Sequence, residues 1–133
     1  MSSSDSAKPA RKTVLVIEDD PTNAMVITDY LAAHGFAVSC VGDGEQGLAR
    51  FAEASPDVVI VDMLLPQQSG LEVVRALRAS PGGQDVPILM MSAVWKDAYP
   101  DQPRPDEVQG YLVKPFRMSD LVERIRELFP NDP

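Results

Sequence analysis

One cysteine, Cys40, and one histidine, His34, stand among the 133 residues. A lone cysteine excludes any intramolecular disulfide, and in the run Phe36-Ala37-Val38-Ser39-Cys40-Val41 it reads as a small buried hydrophobe. His34, near a predicted helix end, suits solvent or the helix dipole, not a metal or a phosphoryl group. Long apolar runs are missing too. None approaches the ~18 residues that span a bilayer, and Met1 to Lys12 has no apolar signal core, so a cytoplasmic protein without a membrane partner is expected. Basic charge is short: 12 bases against 20 acids leave a net charge of -8, which repels phosphate backbones and argues against direct nucleic-acid binding. What is present is ordinary. Apolar residues at 44% and charged residues at 24% match globular usage, and a chain of this length buries roughly two-thirds of its unfolded surface as one domain.

The domain is expected over residues 13–130, between a flexible tail at 1–12 and a C-terminal tail at 131–133. From Thr13 onward short β-branched runs alternate with longer amphipathic segments, the pattern of strand-helix units wound around a parallel sheet. Strands are predicted at Thr13 to Ile17, Phe36 to Val41, Asp57 to Val61, Val86 to Met91 and Tyr111 to Val113. Asp20 before Pro21 caps the first helix, which Gly35 ends, and Gly42-Asp43-Gly44 opens a second through about Glu53. Ser69 and Glu72 form a capping box ahead of Leu71, Val74 and Leu77, and Ser119 or Asp120 caps the last helix. Between strands four and five the rhythm fails. Pro100, Pro103 and Pro105 remove amide donors and clash with a preceding turn at ~3 kcal/mol each in a helix interior, so an irregular, mobile segment is expected from Trp95 to Val108.

Four of the strands end in polar residues: Glu18, Asp19 and Asp20 after the first, Asp62 after the third, Ser92 after the fourth and Lys114 after the fifth. Open parallel sheets bind ligands outside the carboxyl ends of their strands. Two carboxylates and a backbone carbonyl suit Mg²⁺, which takes hard oxygen ligands and keeps several waters. Asp19 and Asp62 are the first choices as ligands, with Glu18 behind them aligning a bound water. A carboxylate is also a nucleophile for phosphoryl transfer, provided that the charge on the phosphoryl oxygens is neutralised. The cation, Lys114 and the Ser92 hydroxyl supply that. Asp20 is explained by helix capping.

At this spacing the chain resembles the receiver domain of two-component response regulators, over about Thr13 to Phe129. The marks are Glu18-Asp19, Asp62 with Pro66 and Gly70 four and eight residues later, Ser92-Ala93 and Lys114-Pro115-Phe116. The resemblance implies a flavodoxin-like, doubly wound α/β fold with five parallel strands in the order 2-1-3-4-5. It implies Asp62 as phosphoacceptor, Asp19 as a direct Mg²⁺ ligand, Glu18 as a mostly water-mediated one and the Leu64 carbonyl as a further ligand. Ser92 would be the switch hydroxyl, Tyr111 the switch aromatic and Lys114 the partner of the phosphoryl group, with Ala93 and Pro115 in support. A histidine kinase or phosphotransferase would donate, and a downstream protein would read the result; the chain would not be an enzyme in its own right.

Two departures from the pattern stand out. The prolines argue against the helix between strands four and five, part of the family's usual signalling face, and Leu64 and Val94 are apolar where the family influences water access to the phosphoryl group. Two other functions compete. One is a docking module that is never phosphorylated. The other is a Mg²⁺-dependent phosphatase with an aspartyl-phosphate intermediate, which needs a second aspartate where Leu64 stands.

Overall fold

A computed structural model describes residues 11–94 and 100–130. Five strands, β1 (Thr13–Ile17), β2 (Ala37–Val41), β3 (Val58–Asp62), β4 (Ile88–Ser92) and β5 (Gly110–Val113), pair in the order β2-β1-β3-β4-β5. Every pairing is parallel. The helices α1 (Pro21–Ala33), α2 (Gly44–Ala54), α3 (Gly70–Arg78) and α4 (Met118–Glu127) cover both faces. This is the flavodoxin-like doubly wound sheet.

The continuous apolar runs make sense in this architecture because alternate side chains serve two separate cores. Leu15, Ile17, Val59, Val61 and Met90 face Phe51 of α2 and Leu71, Val74 and Leu77 of α3. Their neighbours Val14, Val16, Ile60, Leu89 and Met91 face Ile27 and Leu31 of α1 and Leu121 and Ile125 of α4. A polar residue inside any of these runs would lie in a core. The first polar residues therefore appear where the strands run out.

Local signals operate as the sequence predicts. The Asp20 carboxylate accepts from the Thr22 amide at 3.3 Å ahead of Pro21, and Asp43 accepts from Gln46 at 2.8 Å. Ser69 and Glu72 exchange both capping-box bonds, at 2.8 and 3.1 Å. Gly35, at φ +93°, turns the chain out of α1 after His34, whose exposed ring stacks on Tyr30. Replacing Asp20 with alanine should cost about 1 kcal/mol in urea denaturation without weakening Mg²⁺ binding, the converse of Asp19→Ala.

Four expectations need correction. The last helix is capped at Arg117, and Asp120 lies inside its first turn, where its carboxylate accepts from the Arg117 amide at 3.2 Å. Cys40 is half-buried, because β2 is an edge strand and covers only one flank. Strand four begins at Ile88, two residues late, and strand three runs from Val58 through Asp62. Asp57 instead latches the strand starts: its carboxylate accepts from the Thr13 amide at 2.8 Å and the Thr13 hydroxyl at 3.0 Å.

The fourth correction concerns the proline-rich segment. Residues 100–109 form bends and turns without a helix, as the prolines dictate, whereas Trp95 to Tyr99 lie outside the described residues. The prolines alone do not describe the segment, because its described part makes several side-chain contacts with α3. Arg75 of α3 donates to Glu107 at 2.8 Å and to Asp101 at 2.5 Å, and Arg78 donates to the Glu107 carbonyl at 2.8 Å. The segment is irregular in backbone and tethered by charge.

Candidate functional site

Register brings the strand-end residues together. Asp62 closes β3 and pairs with Met91, so Ser92 lies one step further along β4, and Ser92 pairs with Val113, directly before Lys114. On the other side Ile17 pairs with Val61, so Glu18 and Asp19 leave β1 level with Asp62. Carboxylate oxygens of Glu18, Asp19 and Asp62 all lie within 4.8 Å of one another. Glu18 and Asp62 are buried at 2% and 5% exposure, while Asp19 is exposed. Two of the three carboxylates are thus largely withdrawn from water.

Lys114 partly compensates them. Its ammonium donates to Asp62 Oδ2 at 2.8 Å and to Glu18 Oε1 at 3.3 Å. Burial pulls the ammonium pKa down, but the hydrogen bond and charge of Asp62, then those of Glu18, outweigh it and leave the group above its ordinary value. One cation does not satisfy three anions. Burial, with the hydrogen bond and charge of Asp62, pushes Glu18 up to about 7. A divalent cation would find three carboxylates already gathered within 4.8 Å, so the donor set fits Mg²⁺.

That raised value has a consequence for stability. The folded state holds the Glu18 proton up to about pH 7, whereas the unfolded chain releases it near 4.5, so this contribution is full below pH 4.5 and is lost as pH rises through 7. In chelator, the thermal midpoint should fall between pH 5 and 8. Saturating Mg²⁺ should abolish the fall, because the metal favours the ionised carboxylates. Parallel pH profiles with and without the metal would contradict this.

The turn after Asp62 is tightly built. The Leu64 amide donates to Asp62 Oδ1 at 3.2 Å, Leu64 bridges to Ser69, and the Gly70 amide donates to the Met63 carbonyl at 2.6 Å. A Cβ on Gly70 would stand 2.2 Å from the Asp62 carbonyl oxygen and 2.8 Å from Met63 Cα. Gly70 therefore packs directly against the Asp62 backbone. The Leu64 side chain is 61% exposed at the rim, and Val94 is exposed as well.

Ser92 is fully buried and its hydroxyl accepts from the Val94 amide at 3.3 Å. Tyr111 is half-buried, and its hydroxyl donates to the Val94 carbonyl at 3.2 Å. Val94 thus links the two residues expected to switch. Ala93 is exposed, and Pro115, also exposed, follows Lys114 through a cis peptide bond. Beside Lys114 a cleft of about 290 Å³ opens between Val26 and Ile27 of α1 and Phe116 and Met118 at the start of α4.

Comparison with known proteins agrees with this geometry. The family model described as the response regulator receiver domain matches residues 14–126, nearly the whole described fold. The chain belongs to that family. This receiver is 37% identical over 116 residues to the DNA-binding response regulator MtrA of Mycolicibacterium smegmatis, a match covering 87% of the receiver and 50% of that protein. It spans about half the length of the curated relatives it matches. Among solved structures it resembles the chemotaxis response regulator CheY4 of Vibrio cholerae, with a TM-score of 0.83, 27% identity, and coverage of 90% of the receiver and 100% of that chain. It also resembles the response regulator TrrA of Thermotoga maritima in complex with Mg²⁺-BeF, with a TM-score of 0.78, 28% identity, and coverage of 89% and 99%. Receiver domains take phosphoryl groups from histidine kinases, and the receiver is a two-component signalling domain.

Of the residues named from sequence, Glu18, Asp19, Asp62 and Lys114 come together, Ser92 lies one step past the Asp62 partner on β4, and Tyr111 is joined to Ser92 through Val94. Sequence reasoning missed the arginines of α3. Arg75 and Arg78 stand three residues apart on the helix that precedes the proline-rich segment, whose acids include Asp101, Asp106 and Glu107. Basic residues one turn apart, with acids in a segment denied its helix, were the available signal.

Proposed function

We propose that this receiver is a phosphorylation switch in which Asp62 accepts a phosphoryl group from the phosphohistidine of a kinase or phosphotransferase. The carrying observation is the Asp62 carboxylate, buried, held by Lys114 at 2.8 Å and gathered with Glu18 and Asp19 within 4.8 Å. An Asp62 carboxylate oxygen forms the new O–P bond while the donor's N–P bond breaks, and the leaving imidazole nitrogen retains the N–P electron pair and takes up a proton. Asp19, Asp62 and the Leu64 carbonyl would hold Mg²⁺, with Glu18 aligning a metal-bound water; the cation neutralises charge on the transferring oxygens. Lys114 exchanges its bond to Asp62 for one to a phosphoryl oxygen. The Ser92 hydroxyl donates to another. The cleft beside Lys114, with Val26, Ile27, Phe116 and Met118 around it, offers the donor protein an apolar footing.

Phosphorylation adds about 1.5 to 2 negative charges, enough to bias a two-state element. Here that element is the unit Ser92–Val94–Tyr111, so rotation of Tyr111 would carry the signal to a downstream protein. The receiver itself serves as acceptor and switch in the cytoplasm, without direct nucleic-acid or membrane contact. Among the described residues no helix is long and apolar enough to cross a membrane. A phosphatase role finds no support at Leu64, which has no proton to give.

Incubation with acetyl phosphate and Mg²⁺, followed by intact-mass measurement, tests the proposal. One phosphoryl group per chain is expected, lost on chelation of the metal before mixing. No gain at any Mg²⁺ concentration would leave a docking module.

A further inference from the structure

The segment that takes the place of a helix between β4 and β5 is held to α3 by a buried carboxylate. Glu107 is 3% exposed, and each of its oxygens is occupied. Oε2 accepts from Arg75 Nε at 2.8 Å and pairs with Arg104 Nη2 at 3.1 Å, while Oε1 accepts from the Arg104 amide at 2.8 Å and from Arg75 Nη2 at 3.3 Å. Arg75 extends the same contact outward to Asp101, with bonds at 2.5 and 3.2 Å. A neighbouring clamp is purely structural: Arg78 reaches carbonyls of Gly83, Val86 and Glu107, and Gln109, and so fixes the starts of β4 and β5. Arg75 joins no strand. Among the described residues its side-chain partners all lie in residues 101–107.

We propose that the Arg75–Glu107 pair, with Arg104 and Asp101, is a regulatory latch that holds residues 101–107 against α3 in the unphosphorylated protein and must loosen when the switch turns. This rests on the reading of Asp62 as phosphoacceptor. The mechanical link is short. Val94 is bound on one side by the Ser92 hydroxyl and on the other by Tyr111, and Tyr111 follows Glu107 by four residues at the start of β5. Drawing Ser92 toward a phosphoryl group on Asp62 displaces Val94 and with it Tyr111, and the short stretch from Tyr111 back to Glu107 carries that displacement to the latch.

A covered helix would resist through many backbone bonds and an apolar face. Here the side-chain hold on residues 101–107 rests largely on charge-assisted bonds centred on Arg75 and Glu107, beside the Arg78 contact with the Glu107 carbonyl. Such bonds are directional and are strong only at full contact, so the segment is held until it is displaced and then released as a unit. The bias this sets on the switch is reciprocal, as for any coupling between two sites. Breaking the latch should therefore make the activated state easier to reach.

The test is beryllofluoride affinity in saturating Mg²⁺, by calorimetry, for the wild type and for Glu107→Gln, Arg75→Gln and the double variant. About fivefold tighter binding is expected in each single variant, with the double variant no tighter than Arg75→Gln, which already breaks both the Glu107 and the Asp101 contacts. Mg²⁺ affinity should not change. Asp101→Asn, at a side chain 69% exposed, keeps the question answerable if Glu107→Gln fails to fold, and about twofold tighter binding is expected there. Folded variants with wild-type affinity would overturn the latch alone. A wild type that binds no beryllofluoride would overturn the phosphoacceptor reading instead.

Discussion

Asp62→Asn protein is expected to gain no phosphoryl group from acetyl phosphate and Mg²⁺ under conditions that modify the wild type to completion. The amide preserves the shape of the side chain but has one acceptor oxygen where the carboxylate has two, so it can accept from the Leu64 amide or from Lys114 and not from both, a loss that the fold is expected to tolerate. Chemistry is what disappears. An uncharged amide is not a competent nucleophile toward phosphorus, and Glu18 and Asp19 have no Lys114 contact as short as the 2.8 Å that Asp62 makes. The substitution also removes a negative charge beside Glu18, whose pKa of about 7 owes part of its rise to Asp62. In chelator the variant should consequently be at least as stable as the wild type at pH 8. A variant that unfolds would show that Asp62 is retained for structure.

Gly70→Ala should be among the most damaging single-methyl changes in the protein. The new Cβ would lie 2.2 Å from the carbonyl oxygen of Asp62 and 2.8 Å from Met63 Cα, both backbone atoms without a rotamer to yield. Either α3 retreats, losing the 2.6 Å bond from the Gly70 amide to Met63, or the turn carrying Leu64 moves. Overpacking of this kind costs typically 1–3 kcal/mol, and a loss of about 3 kcal/mol is expected by urea denaturation. Phosphorylation should fall further than stability explains. The displaced atom is the carbonyl of the phosphoacceptor, and the proposed metal ligand Leu64 lies two residues on, so Mg²⁺ affinity should drop at least tenfold even at temperatures where the variant is folded. Unchanged Mg²⁺ affinity in folded Gly70→Ala would separate the turn from the metal site.

Most of the fold was legible because both faces of a parallel sheet are buried. Runs such as Val14 to Ile17 and Val58 to Val61 had to be uniformly apolar, and the first polar residue after each marks the sheet edge. Asp62, Glu18, Asp19, Ser92 and Lys114 could be placed together for the same reason: topology, not side-chain identity, aligns strand ends. Boundaries slipped where tertiary contacts decide them. Asp57 looks like the first residue of a strand, yet its carboxylate is used up by Thr13, which leaves β3 to start at Val58. Ser119 looks like a cap, but the chain already turns helical at Met118.

The proline-rich segment shows the limit most clearly. Three prolines correctly exclude a helix from 100–109, because each lacks a donor, but they say nothing about what else binds the chain. The tether comes from Arg75 and Arg78, some thirty residues earlier, and a pairing at that separation follows from the path of α3 alongside β4 and not from any local pattern. Irregular backbone and loose backbone are different properties.

The most direct test of the account is reductive trapping. An aspartyl phosphate is an acyl phosphate, and borohydride reduces it to the alcohol, leaving homoserine at the modified position. After reaction with acetyl phosphate and Mg²⁺, homoserine is predicted at position 62 alone, in proportion to the phosphoryl group taken up, and absent when the metal is chelated first. Homoserine at position 18 or 19, or a phosphorylated protein that yields none at 62, would contradict it.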